Sequence, residues 1–389
     1  MYPTISHLIN DLFGVNIPLP IQTFGFFLAI AFLTAGWLLS LELKRKEQQG
    51  LLESIKIKEL IGQKLSVSKI ASAIIVGFLI GFKLFEAIFY YFDLVADPQG
   101  FIFSSRGSFS GGIIVAIISV FFKWKENSKT KLAKPKWVEK EVHPFELVGN
   151  ITIVAAISGL IGAKLFHNLE NINDFIADPW GQLIAFSGLT FYGGLIVGAF
   201  SVIWYAKKYK IKTLLLIDSA APGLMIAYGI GRIGCQLSGD GDWGIDNLLP
   251  KPEWMNFLPN WMWSFTYPHN VINTGIPIDS CTGRYCMELI NPVWPTPFYE
   301  TVMATLIFAL LWSIRKHIQV PGILFFIYLI VNGIERFFIE KIRINTTYNI
   351  LGGITQAEII SFCLIAVGLL GSFILFKRSK AIKQEYNKD

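Results

Sequence analysis

Stretches of about 20 apolar residues recur along the whole chain, and no other feature of the sequence restricts its fold so strongly. Most are long enough to cross a ~30 Å hydrocarbon core as a helix. Nine spans are expected, at about 20–41, 69–92, 108–122, 145–168, 184–206, 213–236, 296–314, 319–340 and 354–376, the third being the shortest. Charged residues make up only 16% of the chain, against roughly a quarter in soluble domains, and the mean hydropathy is +0.50. The fold class is therefore all-α integral membrane.

The net charge of +6 resembles a nucleic-acid signal until the charges are placed. Segments 42–69, 123–143, 207–212, 315–317 and 377–389 hold 25 of the 34 Lys and Arg. The opposite loops hold Arg106, Lys251, Arg284, Lys341 and Arg343, and Lys83, Lys164, Arg232 and Arg336 fall within spans. Lys and Arg collect on the cytoplasmic side, so the expected orientation is N-terminus out and C-terminus in. The basic excess then faces anionic lipid, not nucleic acid. Residues 1–376 read as a single transmembrane domain with a large outer loop at about 237–295, followed by a basic cytoplasmic tail, 377–389.

The first 19 residues contain no Lys or Arg, and span 20–41 is too long for the apolar core of a signal peptide, so it reads as a retained anchor. Cys235 and Cys363 lie within spans, while Cys281 and Cys286 share the outer loop, where oxidising conditions would allow them to pair.

The chain contains an internal duplication. Leu79-Ile80-Gly81-Phe82-Lys83-Leu84-Phe85 returns as Leu160-Ile161-Gly162-Ala163-Lys164-Leu165-Phe166, and Ala96-Asp97-Pro98 returns as Ala177-Asp178-Pro179 at the same offset of 81. With one residue inserted, Ser108-Phe109-Ser110-Gly111-Gly112 matches Thr190-Phe191-Tyr192-Gly193-Gly194. The repeat units, about 70–122 and 150–206, are each a helix with a buried Lys, an Asp-Pro turn and a return helix opening on Gly-Gly. They run in the same direction, unlike the inverted repeats common in transporters. The Gly pairs suit close helix approach.

Ionisable groups at membrane depth are costly and usually functional. Lys83, Lys164, Arg232 and Arg336 are such groups, with Asp218, Glu335 and Glu340 as possible partners. The alternative is that they tie helices together or snorkel to the headgroups. Arg232 lies in the run Gly229 to Gly244, where six glycines in sixteen residues suit bent backbone close to a ligand. An Arg beside freed backbone N–H groups suits a phosphate oxyanion. Its competing role is a structural pair with Asp218 or Asp240. Arg336 and Glu340 lie one turn apart on one helix face. Two arginines near the outer membrane face suggest a phospholipid headgroup site.

These motifs together, over roughly residues 20 to 376, resemble the prolipoprotein diacylglyceryl transferases. Gly231-Arg232-Ile233-Gly234, then Gly239-Asp240 and Trp243-Gly244, is similar to that family's GRxGN, NGE and terminal Gly. Thr190 to Leu195 is similar to S-F-H-G-G-L. Asp218 with Ala221-Pro222 resembles D-x-x-A-P, and Pro295 to Glu300 resembles H-P-S-Q-L-Y-E without its His. Gly333 to Glu340 is similar to Y-G-x-x-R-x-x-x-E. The family has seven spans, and the duplicated pair accounts for two more.

The resemblance implies transfer of a diacylglyceryl group from phosphatidylglycerol to the lipobox cysteine of a pre-lipoprotein signal peptide, in the bacterial inner membrane with the active site toward its outer face. Catalytic roles then fall on Arg232, Arg336, Tyr192, Asp240, Glu300 and Glu340. Substrate binding falls on Arg232, for the phosphate, and on Gly193, Gly194, Gly231, Gly234, Gly239 and Gly244. No metal or soluble cofactor is expected. The sequence departs from the family pattern at Tyr192 (His), Cys235 (Asn), Asp240 (Glu), Trp294 (His) and Asn332 (Tyr). With Tyr192 a poor base near neutral pH, His167 is the nearest alternative base in sequence. Two other functions compete with the transferase: an altered or inactive paralogue that binds phospholipid, and a small-molecule transporter.

Overall fold

A computed structural model describes residues 1–63, 65–130, 132, 135–185, 188, 190–344, 347–348 and 353–386. The end of the basic tail (387–389) and residues 186, 187 and 189 of the span at 184–206 lie outside the described residues. Among those described, helices of 18 residues or more are α1 (Thr23–Gln48), α2 (Val67–Phe89), α3 (Phe109–Thr130), α4 (Val148–Glu170), α5 (Phe191–Lys208), α6 (Thr213–Ser238), α7 (Thr296–Ile314), α8 (Ile323–Glu340) and α9 (Gln356–Tyr386). Each overlaps an expected span. Six are long and apolar enough to cross a membrane by length and composition: α1, α2, α4, α6, α7 and α9. The other three carry charge at one end: Lys123, Lys125 and Glu126 in α3, Lys207 and Lys208 in α5, Glu335, Arg336 and Glu340 in α8. Strands are confined to three two-stranded ribbons in the connections.

The burial pattern is the inverse of a soluble protein's. Leu33, Leu79, Ile117, Phe200 and Leu306 stand exposed, whereas Glu42, Lys46, Asp218, Glu300, Glu335 and Glu340 are buried. Helices whose apolar side chains face outward and whose polar groups face each other suit a hydrocarbon solvent. This is a multi-pass membrane protein.

The sequence reads as one domain over 1–376, while the chain falls into two compact units. One comprises Ile9–Ile21 and Ser54–His143, and the other Met1–Leu8, Gln22–Glu53 and Pro144–Asp389. The smaller unit holds the first repeat copy. In it α2 packs on α3, and strands Ile55–Ile61 and Lys136–Val142 form an antiparallel ribbon. The larger unit holds the second copy, α4 and α5, together with α1, α6, α7, α8 and α9.

The two copies correspond residue for residue through their short helices, and with one residue inserted thereafter. Short helices Tyr91–Ala96 and Pro98–Phe103 of the first return as Ile172–Ala177 and Pro179–Ile184 in the second. Asp97 and Asp178 each cap the helix that follows, accepting from the N–H of Gly100 and Gly181. Lys83 Nζ donates to the carbonyls of Phe101 (2.9 Å), Ser104 (2.6 Å) and Arg106 (2.7 Å), and Lys164 Nζ to that of Ala185 (2.8 Å). These lysines satisfy carbonyls at a short helix's C-terminus. Gly81 lies against Gly111 and Val115, and Gly162 lies against Gly193 and Val197. The Gly-Gly motifs thus let two helix backbones meet.

α6 is the axis of the larger unit, packing on α1, α7 and α8. It corrects the expectation of a bend after Gly229, because the helix runs unbroken to Ser238 through Gly229, Gly231 and Gly234. A glycine in a helix costs about 1 kcal/mol, offset here by close packing: Gly229 against Ala304 of α7, Gly234 against Phe24 and Phe27 of α1. Irregular backbone begins only at Gly239, in the left-handed region (φ 64°). Asp218 is also reassigned. Its carboxylate accepts from the N–H groups of Gly322 (2.6 Å) and Phe325 (2.9 Å), capping α8.

The long loop between α6 and α7 is held together by its own contacts. Trp243, Tyr267 and Val293 form its small core, the buried Asn270 amide donates to the carbonyls of Tyr267, Thr274 and Met287, and Cys281 is disulfide-bonded to Cys286.

Candidate active site

The site forms where three chain segments meet at the end of α6. Backbone hydrogen bonds join Gly244 N–H to the Trp294 carbonyl (2.8 Å) and Ile245 N–H to that of Ile342 (2.9 Å), and Thr296 Oγ1 donates to the Asp242 carbonyl (2.7 Å). Gly244 is required there, since a Cβ would collide with the Ile342 carbonyl. This stitching brings the loop after α6, the start of α7 and the residues after α8 onto one another.

The result is a ring of alternating charges. Arg232 on α6 pairs through Nε with Glu300 Oε2 (2.5 Å) and through Nη1 with Asp242. Arg343, just past α8, closes the ring, with Nη1 on Glu300 Oε1 (3.0 Å) and Nη2 on Asp242 Oδ1 (2.8 Å). Tyr228, one turn before Arg232, donates its phenol proton to Glu300, and its ring lies 5.2 Å from the Arg232 guanidinium. Glu300 is fully buried at 0% exposure, whereas the Asp242 side chain is 36% exposed. Asp242 is therefore the member of the ring that solvent or a ligand reaches.

A second group adjoins the ring. Arg336 pairs with Glu340 on α8 (3.5 Å), and the Tyr192 phenol of α5 is hydrogen-bonded to Arg336. Arg336 also feels the charges of Glu300 and Arg232. On the loop side, Asp240 Oδ1 accepts from the Asp242 N–H (3.3 Å), and the Cys235 thiol lies beside both aspartates. Burial, and next the charge of Asp242, raises the Asp240 carboxyl above its ordinary value. Burial pushes Asp242 up as well, but Arg232 and Arg343 more than offset it and hold that carboxyl below its ordinary value. Two neighbouring carboxylates are thus driven apart in acidity.

Of the residues expected from sequence, Arg232 and Glu300 meet directly, Asp240 borders them, and Arg336, Glu340 and Tyr192 form the adjoining group. Gly239 and Gly244 shape the loop and Gly231 has open space around it, whereas Gly193, Gly194 and Gly234 are taken up in helix packing. Arg232 pairs with Asp242 and Glu300; its expected structural partners, Asp218 and Asp240, are not among its ion pairs. His167 is engaged with Asn171 in its own helix turn and lies against Gly188. Sequence reasoning missed Tyr228, Asp242 and Arg343. Asp242 stands in the Gly-rich run already singled out, so that signal was present; Arg343 had been counted as one of the few basic residues of the outer loops. The Cys235 thiol and the Asp240 and Asp242 carboxylates also come close enough to ligate a cation. Both Asp242 oxygens already face guanidinium groups, so a cation there would compete with two fixed positive charges.

A model of the prolipoprotein diacylglyceryl transferase family matches residues 11–139 and 129–374. The chain belongs to this family. Three bacterial relatives bear the name phosphatidylglycerol–prolipoprotein diacylglyceryl transferase. The one from Corynebacterium glutamicum is 27% identical over 279 residues, 70% of this chain and 79% of the relative. Those from Oceanobacillus iheyensis and Dehalococcoides mccartyi are 26% and 25% identical, covering 71% and 76% of this chain and 85% and 99% of the relatives. As a member of the family, the chain is a diacylglyceryl transferase.

Proposed function

We propose that this transferase moves the diacylglyceryl group of phosphatidylglycerol onto the lipobox cysteine of a pre-lipoprotein signal peptide, at the outer face of a bacterial inner membrane. The observation that carries the reading is the ring formed by Arg232, Glu300, Arg343 and Asp242 at the end of a membrane helix. Two guanidiniums held by one fully buried carboxylate form a preorganised fork for a phosphodiester. The phosphate takes the side of the ring where the partly exposed Asp242 now sits.

The acceptor sulfur, as thiolate, attacks the glyceryl carbon bonded to the phosphate oxygen. A C–S bond forms, the C–O bond breaks, and the electron pair leaves on the oxygen of glycerol phosphate. The thiol proton passes to a base. Asp240 is suited to that task, because its raised pKa brings a carboxylate nearer to the thiol's own. Arg232 and Arg343 oppose the charge that grows on the departing phosphate, an effect worth most in a site that excludes water. Arg336, with Tyr192 and Glu340, supplies a further cation where the family carries a His.

The test is expression in bacteria depleted of their own transferase, scored for growth and for lipidation of a reporter lipoprotein. Restored lipidation supports the reading. Folded protein that binds phosphatidylglycerol but lipidates nothing would instead favour a phospholipid-binding paralogue.

A further inference from the structure

Most of the buried carboxylates of the larger unit have clear donors. Asp218 takes two backbone N–H groups, Glu42 takes Arg45 and Arg315, Glu358 takes Lys341 and the Thr355 N–H, and Glu300 takes Arg232, Arg343 and Tyr228. Glu335 differs. It is 2% exposed, and neither of its carboxyl oxygens meets a hydrogen-bond donor among the described residues. Buried acceptors are nearly always paired, so one left open asks for a donor that arrives from elsewhere.

Its position says what kind of donor. Glu335 lies on the face of α8 shared with Tyr328, Asn332 and Ile339. Its electrostatic neighbours are Glu300, Arg336, Arg232 and Arg343, with Tyr228 close by. Arg232 and Arg343 serve the ring and Arg336 faces Glu340 and Tyr192, while the buried Nε–H of Arg343 has no hydrogen-bond partner among the described residues. The three arginines already face three carboxylates, Glu300, Asp242 and Glu340, so the group needs no further cation. A vicinal diol offers two uncharged O–H donors to the two oxygens of one carboxyl group.

We propose that Glu335 accepts the headgroup hydroxyls of the donor phospholipid and makes the enzyme select a polyol headgroup. The proposal rests on the transferase reading above, with the phosphate on Arg232 and Arg343 and the headgroup glycerol reaching toward α8.

The test uses the full chain in proteoliposomes with a lipobox peptide as acceptor. Two donors are compared, phosphatidylglycerol and phosphatidylpropanol, which share the diacylglyceryl phosphodiester but differ in the headgroup hydroxyls. The wild type should favour phosphatidylglycerol in kcat/KM by about tenfold, the worth of one or two ordinary hydrogen bonds. Glu335→Leu should bring phosphatidylglycerol down to the level of phosphatidylpropanol, whose own rate stays unchanged. Glu335→Gln, which keeps the shape but only one of the two oxygens, should give an intermediate ratio, and it decides the matter if the Leu variant fails to accumulate. A wild-type ratio in either variant, or no discrimination by the wild type, overturns the proposal. Absence of transfer from both lipids by the wild type would sink the transferase reading itself.

Discussion

Replacing Arg343 by alanine separates a phosphate-binding role from a structural one. Its two terminal nitrogens reach Glu300 (3.0 Å) and Asp242 (2.8 Å), so one planar fork spans both anions of the ring. Alanine removes that fork but leaves Glu300 held by Arg232 and Tyr228. The buried carboxylate keeps two partners, and the fold should escape the roughly 3–5 kcal/mol penalty of an orphaned buried charge. Catalysis should not escape. Losing one of two preorganised donors to the developing oxyanion costs about 2.7–4 kcal/mol, or about 10²–10³ in kcat. Lysine returns the charge without the bidentate geometry and should recover only part of the loss. The assay is the lipidation rate in proteoliposomes, normalised to folded protein recovered from the membrane. An alanine variant of normal abundance that turns over at the wild-type rate would refute the assignment of Arg343 to the phosphate.

Four further outcomes can be checked, three from the site geometry and one from the placement of basic residues. If Asp240 is the base, kcat/KM should fall as pH drops through its raised value, and Asp242→Asn, by removing the neighbouring negative charge, should move that acid limb to lower pH; a limb that stays put would exclude Asp240. The depressed Asp242 adds stability that is present above its unfolded-state value and lost as pH falls through its lower folded-state value, so thermal stability should decline below about pH 4 and Asp242→Asn should flatten that decline. Gly244→Ala should cut the yield of active protein sharply, since its Cβ meets the Ile342 carbonyl, and wild-type activity in that variant would contradict the stitched loop. Reporter fusions after residues 130, 210 and 385 should read cytoplasmic and one near 260 external; a cytoplasmic signal at 260 would reverse the orientation.

Much of this was readable in the chain because some signals are local. Apolar length marks each helix wherever it packs, and the offset of 81 between Lys83 and Lys164 needs no coordinates to be seen. Arg232 stands out as a charge at membrane depth, and Glu300 through the family resemblance. What could not be read depends on partners distant in sequence. Gly229 and Gly234 look like helix breakers until Ala304 and Phe24 are brought against them. Asp218 looks like a partner for Arg232 until the N-terminus of α8 claims it. Arg343 sits beyond the last turn of α8, among residues that read as loop, and only the pairing of Gly244 with Arg343 returns it to the site.

The two repeat copies give the molecule an internal alignment of its own. Their turn aspartates adopt nearly the same backbone, φ −144° and ψ 82° at Asp97 against −145° and 80° at Asp178. The positions that have stayed the same are those the scaffold cannot change: the capping aspartates, the carbonyl-binding lysines and the glycines between helices. The positions that have drifted are those the scaffold leaves open, such as Ser110 against Tyr192 and Glu86 against His167. Within one chain, then, the cost of holding a helix pair together can be told apart from the demands of a task. On the proposed function Tyr192 falls in the second category, since its counterpart Ser110 occupies the same frame and, among the described residues, bonds to Ser108.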